Sequence, residues 1–75
     1  ISYDLPSDAL VNVVIYDALG QEIRYLVNEQ HAAGRYSIQW DAKDQLGHSV
    51  GSGVYIAKIK AGASFSATQK MLLLK

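Results

Sequence analysis

"LVNVVIYDALGQEIRYLVN", residues 10–28, decides how this chain folds. Val11, Val13 and Ile15 recur with a period of two, and Asn12 and Tyr16 fall between them on the opposite face. That alternation belongs to a half-buried strand, and the β-branched content disfavours a helix. "DALG" (17–20) has the composition of a type I turn closing on a left-handed glycine, Gly20. The chain returns as "QEIRYLVN", in which Ile23, Tyr25 and Val27 alternate with Glu22 and Arg24. Residues 11–28 therefore read as one β-hairpin.

The same period extends outward in both directions. "ISYDL" (1–5) sets Ile1, Tyr3 and Leu5 on one face, and Pro6, lacking an N–H, ends the pairing. "NEQHAAG" (28–34) reads as a loop punctuated by Gly34. "RYSIQWD" (35–41) is an alternating strand with Tyr36, Ile38 and Trp40 inward. "AKDQLGHSVGSG" (42–53) is a long connection with one short extended piece at Ser49 and Val50. "VYIAKIKAG" (54–62) buries Tyr55, Ala57 and Ile59 and wets Lys58 and Lys60, and "FSATQKMLLLK" (65–75) closes the chain. About seven short strands with regular turn signals predict an all-β, immunoglobulin-like sandwich of antiparallel strands. With no cysteine in the chain, no disulfide supports it.

Seventy-five residues make a single domain, 1–75, and a chain of this size buries only about 60% of its unfolded surface. Seven basic and seven acidic side chains balance, which argues against nucleic acid as a partner. No stretch approaches the ~20 apolar residues of a transmembrane helix. Because "ISYDL" already has strand character, the chain is expected to be the C-terminal fragment of a larger protein. Its last strand departs from the pattern of the others. Met71, Leu72, Leu73 and Leu74 make both faces apolar, and Lys70 and Lys75 bracket them. Such a strand is either covered on both sides or presents a patch to a partner.

Groups with chemical potential have simpler readings. Asp41 and Asp44, beside Gln45 and Gly47, supply too few oxygens for calcium and are expected to bond their own backbone, so no metal is expected. His31 and His48 lie 17 positions apart without a third ligand and read as surface histidines. Ser37, Ser49 and Ser52 lack a nucleophile-elbow context, so no catalysis and no cofactor are expected. Trp40, Tyr36, Tyr25 and Tyr55 suit a core better than a sugar platform, and Tyr16 is the aromatic expected to be most exposed.

Tyr16-Asp17, Gly20, Gly34, Trp40-Asp41, Asp44, Gly47 and Ser52-Gly53-Val54-Tyr55 together, in this order and spacing, resemble the FlgD-like immunoglobulin-like module. With the leading "ISYDLP" and the ending Lys70-Met71-Leu72-Leu73-Leu74-Lys75, the whole chain resembles the C-terminal sorting domain of the type IX secretion system. The resemblance implies a non-catalytic domain on an exported cargo, in the periplasm during transit and then at the cell surface or outside the cell. It implies two partners: an outer-membrane translocon that reads residues 70–75, and a sortase-like peptidase that removes the domain from some family members. Gly20, Gly34, Asp41, Asp44, Gly47 and Gly53 would hold the turns of the scaffold. The alternative is a structural or adhesive spacer, or an assembly subunit that self-associates by adding its last strand to a neighbouring sheet.

Overall fold

The computed structural model describes residues 1–63 and 65–75. Its strands are β1 (Ser2–Leu5), β2 (Ala9–Asp17), β3 (Glu22–His31), β4 (Gly34–Ser37), β5 (Gly53–Ala61) and β6 (Phe65–Leu73). β3-β2-β5-β6 form a four-stranded antiparallel sheet, and β1-β4 form a two-stranded one. The fold is all-β and immunoglobulin-like. Tyr3 and Leu5 of the small sheet meet Val11, Val13, Ile59 and Ala61 of the large one in a buried cluster. Ile15, Tyr55 and Ala57 form a second cluster toward the other end, closed by Trp40, Met71 and Leu73. Val11, Val13 and Ile15 are fully buried, as their alternation predicts.

Three expectations about the strands are corrected. Six strands form among the described residues, where about seven were expected, because the extended piece at Ser49 contributes only an isolated bridge to Lys43. Residues 28–31 are strand, not loop: Val11 pairs with Glu29, Leu10 with Gln30 and Ala9 with His31. The polar run Asn28-Glu29-Gln30 suits an edge strand, whose ladder needs backbone groups rather than apolar side chains. β4 stops at Ser37 instead of continuing to Asp41. Ile38 still extends the small sheet irregularly, donating its N–H to Ile1 C=O (2.7 Å) and accepting from the Ile1 amino group (3.0 Å).

The faces of β3 also differ from a plain alternation. Val13 pairs with Val27 but Val14 with Tyr25, and Ile15 pairs with Arg24 but Tyr16 with Glu22. Leu26 and Ile23 are thus extra residues in two bulges, and each bulge reverses the inward set. Ile23 and Leu26 pack on the core, whereas Tyr25 points outward and is 52% exposed. Tyr25, not Tyr16, is the more exposed of the two. Tyr16 is half-buried, with Lys58 Nζ 5.2 Å from the centre of its ring.

Candidate functional site

Two turns of one design frame the loop end of the molecule. In "DALGQ" (17–21), Leu19 and Gln21 N–H donate to Asp17 Oδ1 at 2.9 Å each, and Gly20 N–H donates to Asp17 C=O. In "DQLGH" (44–48), Leu46 and His48 N–H donate to Asp44 Oδ1 at 3.0 and 2.9 Å, and Gly47 N–H donates to Asp44 C=O. Gly20 and Gly47 sit at φ +85° and +86°, a conformation that costs an L side chain roughly 1 kcal/mol or more. The Asp44 carboxylate is therefore engaged in shaping a loop. Among the described residues no group of three His, Cys, Asp or Glu side chains is placed to hold a metal.

Asp41 has a different task. Its Oδ1 accepts from Arg24 Nη1 and from Lys43 N–H, tying the 42–50 loop to β3. Desolvation raises its proton affinity, but the Arg24 hydrogen bond and charge, with the Lys43 backbone bond, outweigh that and hold its pKa below the usual carboxylate value. A depressed folded-state pKa stabilises above the unfolded value, and the contribution is lost as pH falls through the folded one. Asp41→Asn should therefore lower the urea midpoint at pH 7, and its difference from the parent should shrink as pH falls from the ordinary carboxylate range through the depressed folded-state value.

The residues 70–75 singled out in the sequence lie on and just beyond β6, at the margin of the large sheet. Met71 and Leu73 turn inward onto the Ile15–Tyr55 cluster, while Leu72 and Leu74 are 66% and 77% exposed. The doubly apolar run is thus divided between a packed face and a presented one. Lys70 and Lys75 are exposed, and Lys75 N–H donates to Ser52 Oγ at 3.0 Å. Beside β6 runs an open groove of about 400 Å³, lined by Ile1, residues 38–40 and residues 71–73. Trp40 forms part of its wall, fixed edge-on to Tyr55 (centroids 5.0 Å apart) and by Nε1–H to Lys43 C=O (2.9 Å).

The sheet has two margins, and they are not alike. On β3, Gln45 reaches the edge twice: its N–H donates to Ile23 C=O (3.0 Å) and its Oε1 accepts from Tyr25 N–H (3.0 Å). The two bulges fall in the same stretch. β6, by contrast, pairs with β5 in unbroken register from Phe65 to Leu73. Among the described residues no strand pairs with its outer side.

Residues 1–64 match the FlgD Ig-like domain family. The chain belongs to that family. The solved structure of FlgD from P. aeruginosa is similar to this FlgD Ig-like domain, with a TM-score of 0.77 and 31% identity. That likeness covers 95% of this chain and 57% of the other, so this domain spans little more than half the length of that FlgD. No match is found among curated proteins. The family match ends at residue 64, so it describes the scaffold up to β6 and not the lysine-bracketed tail.

One signal went unread in the sequence. The balanced net charge conceals a division along the chain. All seven carboxylates lie at or before Asp44, alongside Arg24, Arg35 and Lys43, for a net of −4. Everything after it carries Lys58, Lys60, Lys70 and Lys75 and no acid, for a net of +4. Strand pairing then concentrates that positive charge on β5 and β6.

Proposed function

We propose that this FlgD Ig-like domain is a non-catalytic sorting module. In this reading the type IX outer-membrane translocon grips the end of β6 to export a cargo from the periplasm to the cell surface, and a sortase-like peptidase acts afterwards. The observation that carries the reading is the placement of Leu72 and Leu74. Two large aliphatic side chains stand exposed at the end of a margin strand, Leu72 on it and Leu74 just past it, between two exposed lysines and without serving the core. Neither side chain belongs to the core clusters.

The test substitutes rather than deletes, because removing residues 71–75 would also strip Met71 and Leu73 from the core. A reporter fused ahead of the domain and carrying Leu72→Thr with Leu74→Thr should accumulate in the periplasm. Surface delivery should fall at least about tenfold, the scale of losing recognition hot spots. Undiminished delivery would contradict the reading. The family placement itself favours a second one, an immunoglobulin-like structural or assembly module that remains in place. That reading predicts normal export of the double variant.

A further inference from the structure

We propose that the open margin of β6 accepts an extended strand from a partner protein, one in which aliphatic residues alternate and carboxylates flank them. The inference rests on the reading of β6 as the recognised element and specifies how it is held. In an antiparallel ladder the backbone groups of successive residues point alternately to the two neighbouring strands. Gly62 N–H bonds to Leu10 C=O of β2 (3.1 Å), so Ala61, Ile59, Ala57 and Tyr55 turn their backbone groups toward β6. Their partners Phe65, Ala67, Gln69 and Met71 complete those bonds. The N–H and C=O groups of Ser66, Thr68, Lys70 and Leu72 therefore face outward along the margin. They form a regular row of donors and acceptors of the kind that a fifth strand satisfies.

The surroundings select the chemistry of that strand. Its inward side chains would enter the groove walled by Ile38 and Trp40, which takes aliphatic groups. Its outward side chains would lie beside Leu72 and Lys70, on a face that also carries Lys58 and Lys60 from β5. Among the described residues none of these lysines forms a salt bridge, so the charge complement comes from the partner. A second copy is a poorer occupant on both available surfaces. Its β6 brings the same lysines, and the stretch of β3 around Ile23 and Tyr25 is bulged and already bonded by Gln45.

Backbone recognition and side-chain recognition separate cleanly at Leu72. Proline there removes an outward N–H and no bond to β5, a position where margin strands tolerate it. Fluorescence anisotropy with the 75-residue chain would use a labelled peptide alternating valine and threonine with glutamate at both ends. It should bind saturably, and a version flanked by lysine should bind at least about tenfold more weakly. Leu72→Pro should weaken binding at least about tenfold with the urea midpoint held, and by more than Leu72→Thr, which loses the aliphatic contact but keeps the outward N–H. N-methylating the peptide on alternate amides should abolish binding in one of its two phases, a measurement that leaves the domain untouched. Equal binding by Leu72→Pro and the parent, or by both N-methylated peptides and the plain one, would overturn strand addition. So would an absence of saturable binding. A dimer that forms without peptide and disappears in Leu72→Pro would overturn the choice of a foreign partner. Failure here, with export still lost in the double threonine variant, would discard the mode of grip and leave the sorting reading standing.

Discussion

Ile15→Ala is expected to remove a third or more of the domain's stability. Ile15 is fully buried and packs with Tyr55 and Ala57 in the smaller of two core clusters. Truncating such a side chain costs about 2–5 kcal/mol, because the lost transfer energy is joined by the cavity left behind. A 75-residue domain has a total stability on the order of 4–11 kcal/mol, and one without cysteine, hence without a disulfide, belongs near the lower end. Urea denaturation followed by circular dichroism should show the midpoint falling by a third or more of its parent value. Leu19→Ala, at a site 86% exposed, should shift the same curve by no more than about 0.5 kcal/mol. Similar curves for the two variants would mean that the core has been misplaced.

Trp40→Ala is expected to come next in size, at about 2–4 kcal/mol, somewhat below the usual cost of a buried tryptophan because Trp40 is half-buried. Three functions are lost together: the edge-on contact with Tyr55, the bond from Nε1–H to Lys43 C=O, and a wall of the groove beside β6. Trp40→Phe keeps the ring and loses the donor, so it should recover roughly 1–2 kcal/mol of the deficit. Since Trp40 is the only tryptophan, the unfolding of both variants is followed by circular dichroism. Equal losses in the alanine and phenylalanine variants would mean that the hydrogen bond, not the packing, anchors the 38–44 segment.

Strand patterning made most of this architecture legible in advance. The alternation of Val11, Val13 and Ile15, and of Tyr55, Ala57 and Ile59, is the core of the large sheet. What stayed hidden has physical causes. A bulge has no fixed composition, so Ile23 and Leu26 could not be told from Tyr25 as the inward residues of β3 until their partners on β2 were known. Residues 28–31 looked like loop because a margin strand is held by its backbone and leaves its side chains free to be polar. Trp40 looked like strand because it alternates with Tyr36 and Ile38, yet its packing on Tyr55 is made from an irregular segment. At the candidate site, the apolar run and its lysines were plain in the sequence. The difference between a margin closed by Gln45 and one left open was not, since it depends on a contact between residues 20 positions apart.

The central claim is that the exposed leucines of the tail are kept for recognition and not for folding. The most direct measurement follows export of a fused reporter for two variants with equal loss of apolar surface: Leu72→Thr with Leu74→Thr, and Leu19→Thr with Leu46→Thr. All four positions are at least 66% exposed, so both variants should keep the parent's urea midpoint to within about 1 kcal/mol. The account predicts that the tail variant is retained in the periplasm while the turn variant reaches the surface at the parent's level. Equal delivery of both variants would contradict it.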